Sequence, residues 1–165
     1  MFDLHKIGII HLDIKSLNFL CLKKDLTIKL ADFGQGFIIN EEWPEQNDPN
    51  QVANIGEVGT SGWKAPELIM KRVFVKNVKA LDIYSLGVVL YELDSLKLPN
   101  AFCGGVPKER LDKMFAQEKY KLPFSDSCPE EYKKIASDCM LCTVERRPQA
   151  EKVVKILFDL ANSSV

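Results

Sequence analysis

The 165-residue sequence predicts an α+β fold that is mainly α-helical and carries a small β-hairpin near its N-terminus. Two patterns support this prediction. Residues 19–22 are apolar, and Leu26, Ile28 and Leu30 alternate with polar neighbours, which is the period of a half-buried strand. Residues 78–96 are apolar on nearly all sides, which is typical of a helix at the centre of a helical body.

The hairpin prediction fixes a register. A polar turn at residues 23–25 pairs residues whose numbers sum to about 49–50, because antiparallel partners are counted outward from the turn. This register places Asn18 beside Asp32 at the open end of the hairpin, so an amide and a carboxylate are expected to be neighbours.

Three further helices are predicted after residue 100. They begin after Pro107, Pro129 and Pro148, because proline suits the first turn of a helix. The last of them carries an apolar stripe at helical spacing: Val153, Ile156, Leu157 and Leu160.

The segment 35–59 has a different composition from the rest of the chain. It contains five acidic residues and two prolines but neither lysine nor arginine, which predicts a long acidic loop. Its role is left open.

The overall composition excludes several function classes. A net charge of −1 gives no reason to expect a nucleic acid or an anionic membrane as partner. No apolar run approaches the ~20 residues that cross a bilayer, and the N-terminus has no signal-peptide pattern. Five scattered cysteines predict a reducing, intracellular and cytoplasmic setting. Cys139 and Cys142 are interpreted as structural thiols rather than metal ligands, since no second pair accompanies them.

Five motifs occur in a fixed order. Residues 11–18 read HLDIKSLN, residues 32–34 DFG, residues 65–67 APE, residues 82–87 DIYSLG, and Arg147 precedes a proline. Together they resemble the catalytic loop, the D-F-G metal site, the A-P-E motif and the central helix of eukaryotic-type protein kinases. Each motif is weak alone, but the order and spacing are specific. Trp63 and the Lys-Ser-x-Asn pattern of residues 15–18 are similar to the tyrosine-kinase-like group.

The resemblance implies the C-terminal lobe of a kinase over residues 1–165, with the N-terminal lobe absent. The catalytic loop would be residues 11–18, the activation segment 32–67 and the helical body about 78–162, with Gly34 providing a sharp turn. A kinase also needs a Gly-rich loop, a strand lysine and a helix glutamate upstream. Only ten residues precede His11, so we expect a piece of a longer kinase. The apolar face beneath the missing lobe would be open to a partner.

The resemblance also implies the chemistry. Asp13 would accept the proton of a substrate hydroxyl, and Lys15 would lie near the γ-phosphate of ATP. Asn18 and Asp32 would hold Mg²⁺ against the nucleotide phosphates, since this cation prefers oxygen ligands. Leu20 would form the floor of the adenine pocket.

Structural roles are implied for further residues. Asp82 would hold the backbone of the catalytic loop, and Glu67 would form a buried ion pair with Arg147. His11 is predicted to be a core histidine with its hydrogen bonds satisfied, and Phe33 a core packing residue.

The acceptor is expected to be serine or threonine of a protein substrate. Lys15 in the catalytic loop is typical of Ser/Thr kinases, and Thr60 is placed to contact Asp13 and Lys15. Leu12 replaces the arginine that normally receives a phosphorylated activation loop. Residues 35–59 contain no serine, threonine or tyrosine, so activation-loop phosphorylation is not expected to switch the protein. The alternative is a non-catalytic, pseudokinase-like binding or scaffold module.

Overall fold

The computed structural model describes residues 1–22, 27–39, 58–70, 78–99, 110, 113–114 and 122–163. The predicted turn at 23–25, the predicted helix after Pro107 and residues 40–57 of the acidic segment lie outside these residues.

The N-terminal part places the segment 11–18 at the end of a short strand. Helix α1 (Phe2–Lys6) leads into strand β1 (Ile9–Ile10). Gly8 joins them with a φ of +76°, and a Cβ there would lie 2.6 Å from the carbonyl oxygen of Ile39. Only glycine fits this link without strain.

The predicted hairpin is present. Strand β2 (Phe19–Cys21) pairs antiparallel with strand β3 (Ile28–Leu30), with Phe19 opposite Leu30 and Cys21 opposite Ile28. These partners sum to 49, so the predicted register is confirmed. A second pairing was not predicted: strand β4 (Phe37–Ile38) pairs antiparallel with β1.

Helices form the rest of the described chain. Their bounds are α2 (Pro66–Ile69), α3 (Lys79–Ser95), α4 (Glu130–Cys139) and α5 (Ala150–Ser163), with 3-10 turns at Ser16–Asn18 and Val144–Arg146. The predicted helices over 78–96 and after Pro129 and Pro148 are therefore confirmed.

Helix α3 is the centre of the core, as its all-round apolar sequence predicts. One side packs on residues of the segment 11–18 and of the segment before α2; the other packs on α4 and α5. Gly87 allows the close approach of α4, because a Cβ there would lie 2.7 Å from the Cβ of Cys139. Leu93 is the exception near the C-terminal end of α3, with 64% of its surface exposed. Within the described ranges, no helix is both long and apolar enough to cross a membrane.

Candidate active site

The loop between β1 and β2 is held by one buried carboxylate. Asp82, in the first turn of α3, accepts hydrogen bonds from the backbone N–H of His11 at 2.9 Å and of Leu12 at 2.8 Å. The Nε2 atom of His5 lies 3.0 Å from the same side chain. Leu12 has a φ of +63°, a conformation that costs energy for a residue with a branched side chain. Asp82 therefore stabilises a strained turn just before Asp13.

His11 lies inside this loop and is completely buried. Its Nε2 is 3.0 Å from the carbonyl oxygen of Ala31, and its Nδ1 accepts the N–H of Asp13 at 3.3 Å. The prediction of a satisfied core histidine is confirmed. His11 thereby connects the catalytic loop to the strand end that precedes Asp32.

Three side chains meet at Asp13. Its Oδ2 accepts a hydrogen bond from Lys15 Nζ at 2.6 Å, and its Oδ1 accepts one from the Thr60 hydroxyl at 2.6 Å. Lys15 also donates to Thr60 Oγ1 at 2.8 Å. Asn18 Nδ2 donates to the backbone carbonyl of Asp13 at 2.8 Å and lies 3.3 Å from Oδ2. The structure thus contains the contacts of Thr60 that the sequence predicts, and both oxygens of Asp13 are fixed in direction.

The charge of Asp13 follows from these contacts. Burial alone would raise the pKa of Asp13, but the hydrogen bonds from Lys15 and Thr60 and the charge of Lys15 outweigh it and hold the pKa below its ordinary 3.8. The group is therefore a carboxylate at neutral pH. Because its folded-state pKa is lowered, its contribution to stability is present above the unfolded-state value and is lost as the pH falls through the folded-state value.

Replacing Lys15 by methionine is expected to raise the pKa of Asp13, because the change removes both a hydrogen bond and a positive charge. The carboxyl carbon shift of labelled aspartate, followed against pH by NMR, measures this. Lys29→Met, on the exposed face of β3, is the matched control and is expected to leave the titration in place. An unchanged titration of Asp13 in Lys15→Met would contradict the electrostatic description of the site.

Asn18 and Asp32 lie at the open end of the hairpin. The backbone N–H of Ala31 donates to the carbonyl of Asn18 at 2.9 Å, which continues the β2–β3 register toward Asp32. The amide nitrogen of Asn18 is committed to Asp13, so its amide oxygen is the atom suited to a cation. The Asp32 side chain is exposed, with a φ of +64° at its backbone.

The number and type of oxygen ligands that Asn18 and Asp32 offer fit Mg²⁺. One carboxylate and one amide oxygen leave most positions to phosphate and water, as that cation commonly requires. The described residues contain no group of three or more His, Cys, Asp or Glu side chains able to hold a metal by themselves. Cys139 and Cys142 are among these described residues and do not belong to such a group.

One of the two predicted roles near Asp32 needs correction. Phe33 was predicted to be a core packing residue, but 45% of its surface is exposed, with its ring 4.8 Å from that of His11. The expected turn at Gly34 is present, since the N–H of Gly36 donates to the carbonyl of Phe33 at 3.0 Å; the residue with a positive φ is Asp32. Gly34 donates its N–H to Asp32 Oδ1 at 3.4 Å, and a Cβ would lie 3.3 Å from that oxygen, so lack of a side chain matters more than its φ.

Several large apolar side chains in and around the hairpin are exposed. Leu20, expected at the floor of the adenine pocket, has 53% of its surface exposed. Other large apolar side chains exposed in this part of the chain are Leu17, Leu22, Ile28 and Ile38. Leu20 pairs with Lys29 and Cys21 pairs with Ile28, so Leu20 and Ile28 lie on opposite faces of the hairpin.

Glu67 and Arg147 form a buried, two-pronged ion pair behind the site. Arg147 Nη1 and Nη2 donate to the two carboxylate oxygens of Glu67 at 2.7 and 2.8 Å. The guanidinium also donates to the carbonyls of Ala80 at 2.9 Å and Leu141 at 2.7 Å, and stacks 5.0 Å from the ring centre of Tyr84. One arginine therefore joins α2, α3 and the segment before α5.

Sequence reasoning missed other polar residues near the site. His5 and Glu92 were not singled out, although both are buried; His5 lies 3.0 Å from Asp82 of α3, and Glu92 accepts a hydrogen bond from Ser16. The sequence shows a histidine and a glutamate next to apolar residues, which is a weak signal of a buried polar group. It does not indicate which residue that group binds.

Comparison with known proteins gives consistent matches. The family model described as "Protein kinase domain" matches residues 2–158. Mitogen-activated protein kinase kinase kinase 10 of Mus musculus is 29% identical over 171 residues, covering 96% of this chain and 16% of that protein. Serine/threonine/tyrosine-protein kinase HT1 of Arabidopsis thaliana is 31% identical over 154 residues, covering 93% of this chain and 35% of that protein. Mitogen-activated protein kinase kinase kinase 11 of Homo sapiens is 29% identical, covering 92% of this chain and 17% of that protein. The chain spans between about a sixth and a third of the length of these relatives.

Proposed function

The chain belongs to the protein kinase domain family, and from that premise we propose that its full-length protein transfers the γ-phosphoryl group of ATP to a hydroxyl of a protein substrate. The observation that supports this most is the convergence of Lys15, Thr60 and Asn18 on the buried carboxylate of Asp13. Such an arrangement orients a proton acceptor, and orientation together with electrostatics is most of what phosphoryl transfer needs.

Each residue has a role in this proposal. Asp13 accepts the proton of the attacking hydroxyl, and Lys15 places a positive charge beside the transferred group. Asn18 and Asp32 hold Mg²⁺, which when bound neutralises charge on the nucleotide phosphates. Leu20 contacts the adenine ring with its exposed side chain.

We further propose that residues 1–165 are a C-terminal lobe, with catalytic loop 11–18, activation segment 32–67 and helical body 78–162. The exposure of Leu20, at 53% of its surface, supports this, since a second lobe would cover it. The short share of each relative that the chain spans is consistent with a longer protein.

Serine and threonine are the proposed acceptor residues, and the cytoplasm is the proposed site of action. The Lys15–Thr60 hydrogen bond supports the acceptor assignment, because it couples the catalytic loop to the segment on which a substrate hydroxyl would lie.

Incubation of the full-length protein with Mg²⁺, γ-labelled ATP and casein tests the proposal. We expect label on serine and threonine of the acceptor, and little or no transfer by residues 1–165 alone. A folded full-length protein that binds nucleotide but transfers no label would favour the scaffold alternative. Label confined to tyrosine would overturn the acceptor assignment, and turnover by residues 1–165 that Asp13→Asn abolishes would overturn the lobe assignment.

Phosphorylation between Asp32 and Ser61 is not expected to activate the protein. Leu12 stands where a phosphate-binding arginine would be needed, and residues 35–59 contain no hydroxyl side chain. The Thr60 hydroxyl is already used as a donor to Asp13. Mass-spectrometric mapping of phosphosites on protein from its native source checks this. An activating phosphate on Thr60 or Ser61 would contradict it.

A further inference from the structure

Glu92 is a buried acid that the proposed mechanism does not use. It lies in the last turn of α3, with 7% of its surface exposed. Its Oε1 accepts a hydrogen bond from the Ser16 hydroxyl at 2.8 Å, and its Oε2 accepts one from the indole N–H of Trp63 at 2.7 Å. Both hydrogen bonds matter, because burying a carboxylate without partners costs folding free energy.

The two donors belong to different parts of the site. Ser16 lies in the catalytic loop between Lys15 and Asn18. Trp63 lies three residues after Thr60, and its backbone N–H donates to the Thr60 carbonyl at 3.1 Å. The carbonyl of Trp63 also accepts the Ser85 hydroxyl at 2.8 Å, so α3 holds this tryptophan at two points.

We propose that Glu92 is a positioning residue, whose side chain ties the catalytic loop to the Thr60-bearing segment and so fixes the contacts of Thr60 and Lys15 with Asp13. Its consequence for catalysis rests on the proposed function, whereas the tie itself does not. Glu92 acts through Ser16 and Trp63 and need not touch substrate.

Two substitutions of Glu92 separate the effect of its charge from the effect of its two hydrogen bonds. Burial raises the pKa of Glu92, and the hydrogen bonds from Trp63 and Ser16 only partly oppose this. In the described chain both groups that face the carboxylate are uncharged. A glutamine can keep both hydrogen bonds if the Ser16 hydroxyl turns to accept from the amide, so Glu92→Gln removes the charge but retains the tie. Glu92→Leu removes the charge and both hydrogen bonds.

Fluorescence tests the tie without any assay of activity. The chain has two tryptophans, so a Trp43→Phe background leaves Trp63 as its only indole. We expect Trp63 emission to change with pH in one transition, with a midpoint above the ordinary value for a glutamate carboxyl. Glu92→Gln is expected to abolish the transition, and Ser16→Ala to move its midpoint higher, since it removes a hydrogen bond that favours the charged form.

Kinetics of the full-length protein test the consequence. Per folded molecule, Glu92→Leu is expected to lower kcat by about tenfold to a hundredfold through misplacement of Asp13, with KM for ATP unchanged. Glu92→Gln is expected to stay within about fivefold of wild-type, since only the charged character of the hydrogen bonds is lost. Asp94→Asn is the matched control on the same helix, because its carboxylate binds Ser125, away from the site.

Each outcome decides one part of the proposal. A pH transition of Trp63 that survives Glu92→Gln, or a midpoint that Ser16→Ala leaves unchanged, overturns the tie. A Glu92→Leu protein whose kcat per folded molecule equals that of Asp94→Asn overturns the positioning role. If Glu92→Leu does not fold, Ser16→Ala replaces it, and unchanged kcat there counts against the role. If wild-type protein transfers no phosphate, the proposed function fails while the fluorescence result still decides the tie.

Discussion

Replacing Arg147 by alanine is expected to lower the free energy of unfolding by about 3–5 kcal/mol, because it leaves the Glu67 carboxylate buried without its partner. The change also removes the donors to the carbonyls of Ala80 and Leu141, and buried carbonyls that lose a partner add to the cost. The effect is large because one side chain joins three parts of the helical body.

Urea denaturation followed by circular dichroism measures this effect. Arg146→Ala is the matched control, since the neighbouring arginine is exposed and its loss is expected to change stability by less than about 0.5 kcal/mol. A loss below about 1 kcal/mol in Arg147→Ala would mean that the ion pair is a surface-like contact and not part of the core.

Replacing Asp13 by asparagine is expected to lower the phosphoryl-transfer rate of the full-length protein by about 10²- to 10⁴-fold, the usual contribution of a positioned general base. Asparagine has nearly the same shape, and its carbonyl oxygen can still accept one of the hydrogen bonds from Lys15 and Thr60. The fold should therefore be kept while the proton acceptor is lost.

Steady-state kinetics with thermal unfolding measured in parallel separate these two effects. Asp3→Asn, on the exposed face of α1, is the control for the charge change and is expected to leave the rate unchanged. A drop below about tenfold in Asp13→Asn, in a protein as stable as wild-type, would remove Asp13 from its catalytic role.

The hairpin and the central helix could be predicted because their signals are local. A polar turn and period-two alternation set the β2–β3 register, and an apolar segment of 17 residues reads directly as the buried helix α3. The β1–β4 pairing could not be predicted, because two-residue strands carry no period and their partners are 29 residues apart, as Ile9 and Ile38 are.

Features set by distant contacts were also beyond sequence reasoning. The left-handed backbone of Leu12 is held by its hydrogen bond to Asp82 and not by residue preference, because leucine disfavours this conformation. The exposure of Phe33 depends on which surfaces are present to cover it. The Ser16–Glu92 and Trp63–Glu92 contacts span 76 and 29 residues, and no spacing rule connects them. The Glu67–Arg147 pair, 80 residues apart, was expected only through the family resemblance.

The central claim is that the hairpin register brings Asn18 and Asp32 to one divalent cation beside Asp13. Binding of Mn²⁺, a spectroscopic substitute for Mg²⁺, to the full-length protein with ADP measures it directly by electron paramagnetic resonance. We expect Asp32→Asn and Asn18→Ala each to weaken nucleotide-dependent Mn²⁺ binding by at least about tenfold, with Asp3→Asn unchanged. Affinity that is the same in wild-type protein and in both site variants would contradict the claim.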